Sequence, residues 1–367
     1  MLKVAIVYDR VNKWGGAERV LLALHEIFPK ATLYTSVYDQ KGAPWAKVFT
    51  KIETSFLQKI PFMKSNHEFL AIFMPLVFSL FDFSKYDLVI SVTSESAKGV
   101  RTKGRTLHVC YCLTPTRYLW SGYNEYFKGR FFRTVTKPVV DALKWWDKLA
   151  ADRPNIMLSI STEVQKRIKK YYKRNSVVIY PPVDITKHQS SISNNQENKK
   201  YYLLVSRLDF GYKKVDLAIK VFNKLGYPLV IVGTGREEKR LKKLSSHNIF
   251  FAGKVSEKEL TNFYLGAKAL IMPQEEDFGI VSVEAQSFGV PIIAYKKGGS
   301  LDTVIEGKTG IFFDKQSVKS LEKTVKNYNN HPHKNINAKA CTKNAKRFSK
   351  DNFKRGFVDL VKNARMF

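Results

Sequence analysis

Short apolar runs alternate along this chain with stretches in which apolar residues recur every three to four positions. The runs predict strands at Val4–Tyr8, Asp87–Val92, Leu107–Cys112, Ile156–Ile160, Tyr202–Ser206, Pro228–Val232, Asn248–Phe251, Ala269–Met272 and Pro291–Ala294. The three-to-four pattern predicts helices between most of them, as at Ala17–Ile27, Val164–Tyr172 and Val215–Leu225, and another beginning near Ile280. Strands that alternate with helices imply an α/β fold of parallel sheets covered on both faces. The polar stretch His188 to Lys200 follows Pro181-Pro182-Val183-Asp184 and has Ile192 as its one apolar residue, which marks a domain boundary. The division expected is an N-terminal domain of residues 1–184 and a C-terminal domain of residues 185–350. A helical, basic segment from about Asn335 closes the chain, and residues 351–367 are expected to pack back on the first domain.

Composition fits two such domains. A length of 367 residues with 44% hydrophobic and 13% aromatic positions supplies two cores and excludes general disorder. Cys110, Cys112 and Cys341 show neither metal-ligand spacing nor a disulfide framework, so all three are expected to be reduced, in an intracellular protein. The opening directly on a strand gives the expectation of no signal peptide. The window Phe69–Phe83 is too short and too proline-broken for a bilayer span of about 20 residues. It fits either a buried helix or a surface that dips into lipid headgroups.

The net charge of +30 adds a question of partners. Residues 98–137 carry nine Lys or Arg against Glu125 alone, and Lys166 to Arg174 adds six in nine positions. An ordinary solvated surface accounts for this, as does attraction to an anionic membrane leaflet. Nucleic acid is the weaker reading, because no zinc-finger, helix-turn-helix or RNA-stacking signature accompanies the charge.

Chemistry concentrates at the ends of the predicted strands, where ligands bind in open parallel sheets. Residues 273–299 read PQEEDFGIVSVEAQSFGVPIIAYKKGG, with Glu276 and Glu284 eight positions apart around Phe278-Gly279. A helix start there would offer N–H groups and a dipole to a phosphate, while the two acids accept from hydroxyls on either side. Ordinary dipole-favoured acids in a first turn give the same spacing. Arg207 and Lys213 bracket another strand-to-helix turn, which suits a diphosphate or a plain surface. Gly15-Gly16, Gly233-Thr234-Gly235 and Gly253-Lys254-Val255 follow strands and permit close backbone approach, or simply turn the chain.

Taken in order, these pieces resemble retaining glycosyltransferases of family 4. The second half matches in SRL…YKKVDLAI, VGTG, FAGKVS, PQEEDFGIVSVEAQSFGVPIIA and KKGGSLDTV. The first half matches in GGAER, YDLVIS, AKGV, CYCLTPTRYLW and VVIYPPVD, and is similar to the subgroup of bacterial polysaccharide mannosyltransferases. The resemblance implies the GT-B architecture, two Rossmann-like domains with parallel sheets facing across a cleft. It implies transfer of a hexose, with mannose from GDP-mannose as first choice, to a glycan or polyprenyl-linked acceptor with retention at the anomeric carbon.

By the same resemblance, Glu284 binds the ribose, Glu276 holds the transferred sugar, and Phe278, Gly279, Ile280 and Val281 surround sugar and diphosphate through backbone N–H groups. Arg207 and Lys213 neutralise the leaving diphosphate, and with Glu276 form the expected catalytic set. Gly15, Gly16, Gly233, Gly235, Lys254 and Val255 complete the donor site, and Thr114, Arg117 and Tyr118 stand on the acceptor side. No cofactor and no metal is implied, and the chain has no Asp-x-Asp to hold one. Both acids lie in the donor-binding half, whereas a glycosidase pair flanks the scissile bond, so Glu276 is not read as a covalent nucleophile.

Three departures stand out. Arg207 and Lys213 are one residue further apart than in the family, which makes Lys214 an alternative. Leu113 and Ser94 stand where histidines are common, so that either His108 compensates or the acceptor differs. Asp302 replaces the Glu that usually follows the double glycine. The competing classes are a sugar-nucleotide epimerase or hydrolase of the same fold and a non-catalytic basic binding protein. The expected location is cytoplasmic, peripheral on the inner membrane face.

Overall fold

The computed structural model describes residues 2–60, 72–127, 129–185, 200–209, 211–330 and 336–365. The expected linker, residues 188–199, and the start of the apolar window, residues 69–71, lie outside them. The chain divides into two compact units, residues 1–182 with 353–367, and residues 183–352. Val183 belongs with the second, its N–H donating to the Phe348 carbonyl at 2.9 Å. The closing helix Lys350–Arg365 brings Phe353 against Tyr111 (5.8 Å), Phe357 against Phe28 (6.5 Å) and Lys354 into an ion pair with Glu26, all within the first unit.

The first unit is built on seven parallel strands: β1 (Val4–Tyr8), β2 (Thr32–Thr35), β3 (Ile52–Thr54), β4 (Leu88–Thr93), β5 (Leu107–Cys112), β6 (Ile156–Ser159) and β7 (Val177–Val178), in the order β3-β2-β1-β4-β5-β6-β7. The second has six: β8 (Tyr201–Val205), β9 (Leu229–Val232), β10 (Ile249–Gly253), β11 (Ala267–Met272), β12 (Ile292–Tyr295) and β13 (Gly310–Phe313), in the order β10-β9-β8-β11-β12-β13. Both are Rossmann-like sheets. Interior strands such as VAIVY in β1 and LVIV in β9 are buried along their whole length, as strands covered by helices on both faces must be.

The order reverses between β1 and β4 in one sheet and between β8 and β11 in the other. These switch points open a crevice at the carboxyl ends of the strands, and the candidate residues must be judged by their distance from it. β2, β3, β7 and β13 were not expected. Each has four residues or fewer.

The described part of the apolar window is buried on one side and exposed on the other. Met74, Val77 and Phe78 of the helix Met74–Ser79 are buried, while Ile72, Phe73, Leu76 and Leu80 are exposed. Among the described residues no helix is long and apolar enough to cross a membrane. The three cysteines are buried, and none is in a disulfide.

Candidate active site

At the switch point of the second sheet two loops meet. One leaves β8 and passes Arg207 into a short turn, Gly211–Lys213; the other leaves β11 through Pro273 to Gly279. The Lys213 ammonium lies 2.6 Å from Glu276 Oε1, and Gln274 Nε2 donates to the same oxygen at 2.9 Å. Lys213 Nζ also stands 5.1 Å from the centre of the Tyr212 ring. The pair is mostly shielded, with side chains 13% and 19% exposed. Lys214 instead takes a left-handed backbone (φ 52°) and caps the helix Val215–Leu225, so Lys213 is the lysine facing Glu276. Arg207 is exposed beside the same strand end.

Gly279, with φ 85°, turns the chain into the helix Ile280–Ser287, a backbone conformation that glycine adopts without strain. Phe278 is buried against Phe348 at 5.5 Å and anchors this turn, so that the first-turn N–H groups of Ile280 and Val281 lie at the helix start. One and a half turns on, half-buried Glu284 accepts from the Tyr264 hydroxyl at 3.3 Å. The loop is fixed from behind by the double glycine: Gly299 N–H donates to the Glu276 carbonyl at 2.7 Å. A Cβ on Gly298 would stand 2.4 Å from that carbonyl oxygen, and one on Gly299 2.3 Å from Phe278 Cα. Asp302 is buried in the short helix Ser300–Thr303 that follows.

Two further expected donor residues, Gly233 and Gly235, adjoin the chain's own backbone. A Cβ on Gly233 would stand 1.9 Å from the Ser206 carbonyl oxygen, and one on Gly235 2.3 Å from the Leu208 carbonyl carbon. Their close approach is therefore to the 206–209 loop, where Leu208 N–H donates to Thr234 at 2.9 Å. Lys254 is exposed, and Val255 packs against the sheet core.

In the first unit, Gly15 caps and Gly16 begins the helix Gly16–Ile27. A Cβ on Gly16 would meet nothing within 4 Å, so no neighbour within the chain demands a glycine there. Thr114 is buried, and its hydroxyl has no hydrogen-bond partner. Arg117 and Tyr118 are half-buried, the latter 6.3 Å from Tyr126, and burial pushes the Tyr118 phenol well up from its ordinary value. Leu113 N–H donates to Thr93 at 2.8 Å, just beyond the end of β5. His108 is not near it. It lies at the opposite, amino end of β5, buried, with Nε2 2.9 Å from Ser91 Oγ, and burial lowers its pKa to about 3. It cannot take the place of a histidine at Leu113.

Two features of the first unit were missed. Asp9, after β1, is buried, and its carboxylate accepts from the Thr93 hydroxyl and from the N–H groups of Ser94, Glu95, Ser96 and Ala97 at 2.8 to 3.1 Å. Lys98, counted above in a basic stretch, is buried on Asp147 at 2.6 Å. Asp147 also accepts from Thr116, Trp120 and Tyr172 at 2.7 to 2.9 Å. Neither residue carries a local signal, because their partners are 84 or more positions away for Asp9 and 49 for Lys98.

With this geometry in view, residues 185–348 match the model of the glycosyl transferases group 1. That match takes in less than half of the chain and lies wholly in its second unit. The match covers the helix start, both acids and the Arg207–Lys213 turn, as the resemblance to family 4 implied. An uncharacterized glycosyltransferase of Methanocaldococcus jannaschii is 25% identical over 213 residues, 56% of this chain and 58% of the relative. The chain thus spans under two thirds of that relative's length. An alpha-1,3/1,6-mannosyltransferase of Dictyostelium discoideum is 24% identical over 318 residues, covering 74% of this chain and 73% of its own. Among solved structures, Anabaena HepE in complex with UDP-glucose superposes with a TM-score of 0.72 at 18% identity, over 98% of this chain and 99% of that one. That likeness bears on the fold.

Proposed function

We propose that this chain is a hexosyltransferase that moves a sugar from a nucleotide sugar, mannose from GDP-mannose in the first instance, to a lipid-linked or polysaccharide acceptor with retention. The observation that carries this reading is the Lys213–Glu276 pair at the β8/β11 switch point, next to a helix start. A diphosphate placed on that helix start would draw the Lys213 ammonium to itself and leave Glu276 to accept hydrogen bonds from sugar hydroxyls. Exposed Arg207 would supply the second cation, and Glu284 would accept from the ribose. Catalysis is then chiefly electrostatic: charge growing on the leaving diphosphate meets groups already in place. The positive charge comes from the chain itself, and no metal or cofactor is assigned.

Mannose rests on the Dictyostelium relative and on the first-half motifs. The UDP-glucose of the Anabaena structure makes uridine donors the rival choice. The acceptor is placed at the inner face of the cytoplasmic membrane, in keeping with the exposed apolar side chains and the net charge of +30.

A thermal-shift panel of GDP-, UDP- and ADP-sugars, with Glu284→Ala alongside, tests the reading. At a hundredfold excess over Kd a donor adds about 2.7 kcal/mol. A shift with GDP-mannose that the variant lacks supports it; a shift with UDP-sugars alone replaces the donor. No shift with any donor overturns the transferase reading. Nucleotide release without an acceptor would point to the hydrolase or epimerase class.

A further inference from the structure

The helix Arg130–Asp152 of the first unit has one face bound to the protein and another that is exposed among the described residues. On the bound side Val140, Asp147 and Ala150 are buried. Asp147 holds Lys98, and Trp146 sits so close to Gly99 that a Cβ there would stand 2.6 Å from its ring. Around the helix from this side, at steps of four and six residues, run Phe131, Val135, Val139, Trp145 and Leu149, all exposed. Phe131 is 83% and Trp145 66% exposed, far beyond what scattered surface apolar residues require. The remaining sector is mainly basic, with Arg130, Arg133, Lys137, Lys144 and Lys148 against Asp141, which pairs with Lys137 at 2.8 Å, and Asp152. The exposed Ile72, Phe73, Leu76 and Leu80 surround the helix Met74–Ser79, which packs on the same turn, Ala97–Gly99.

We propose that the helix Arg130–Asp152 lies in the surface of an anionic bilayer, with its five exposed apolar side chains in the headgroup–acyl boundary. An apolar stripe carrying Phe and Trp, bordered by Lys and Arg, is the composition of a helix that rests in that boundary. The charge selects the occupant. A second copy would bring two basic sectors together in a chain of net charge +30, whereas anionic headgroups complement them. This names the surface that would hold the chain at a membrane acceptor, and it stands or falls independently of the donor.

Flotation of the full chain with phosphatidylcholine vesicles, with and without phosphatidylglycerol, tests it. The chain is expected to float with the anionic vesicles. Phe131→Ser/Trp145→Ser/Leu149→Ser should lower the bound fraction at least about tenfold, with an unchanged unfolding temperature because the three are exposed. Brominated lipid should quench tryptophan fluorescence, and Trp145→Phe should remove most of that quenching. A wild-type chain that does not float, or a triple variant that floats as well as wild type, overturns the proposal. Self-association without lipid that the triple variant abolishes also overturns it, in favour of a second copy on the stripe.

Discussion

Lys98 and Asp147, each 1% exposed, hold one another at 2.6 Å and thereby fasten the helix Arg130–Asp152 to the turn after β4. Burial pulls the Lys98 ammonium down, but the charge and hydrogen bond of Asp147 outweigh it, and the net shift is upward. A raised ammonium contributes stability that is complete below its ordinary value of 10.5 and is lost as pH rises through the folded value, so the pair is intact throughout the neutral range. Asp147→Ala leaves a buried cation unpaired and should cost about 3–5 kcal/mol, read as a lower urea midpoint. Lys98→Met/Asp147→Leu, which removes both charges, should recover much of that loss. Equal loss in the single and double variants would show that the charge pair is not what matters.

Lys213 and Lys214 are adjacent, and one of them faces Glu276. Lys213→Ala should lower kcat/KM for sugar transfer by about 10²–10³-fold. Lys214→Ala should change it by less than about tenfold, since its part is the turn into the helix. Radiolabelled sugar transfer measures both. The reverse order would shift the role to Lys214.

Gly16 and Gly299 separate a glycine needed by a ligand from one needed by the fold. Gly16→Ala meets no atom within 4 Å and begins a helix, so the unfolding temperature should hold or rise, by up to about 1 kcal/mol in stability. Transfer activity should nonetheless fall if the donor approaches Gly16. Gly299→Ala would drive a methyl into Phe278, displacing the loop that carries Glu276; both stability and donor binding should drop. Activity of Gly16→Ala equal to wild type would remove Gly16 from the donor site.

His108, its pKa lowered to about 3 by burial, stays neutral in the folded chain while the unfolded chain takes up a proton near 6.5. A depressed base costs stability as pH falls from 6.5 toward 3. Between pH 7 and pH 5 the loss from this group should be about 2 kcal/mol. Urea titrations at the two pH values should show it in the wild type and a smaller loss in His108→Gln. A slope unchanged in the variant would assign the acid sensitivity to other groups.

The sheet interiors and the acidic half of the second-unit site were legible in the sequence because both are local. VAIVY, LVIV and the Glu276–Glu284 segment each lie in one continuous piece of chain with its own turn and helix start. Lys213 was chosen over Lys214 by resemblance alone, since spacing does not show which lysine takes the left-handed capping position. Gly233 and Gly235 also pass close to the 206–209 loop, a neighbour that a glycine in the sequence does not disclose. Lys98 looked like surface charge because its counterion lies 49 positions away on a helix, beyond the reach of any periodicity. His108 was misplaced for a different reason: alternation shows which face of a strand a residue occupies, but its end of the strand is relevant only once the sheet is assembled.

The two sheets share the same strand order about their switch points, so each might be asked to hold a phosphate. In the first, Asp9 already stands where an anion would go, and takes up the N–H groups of Ser94 to Ala97 with its own carboxylate. A diphosphate arriving there would find the donors occupied and a negative charge in the way. With one of the two nucleotide-type frameworks blocked in this way, calorimetric titration with nucleotide should saturate at one equivalent per chain.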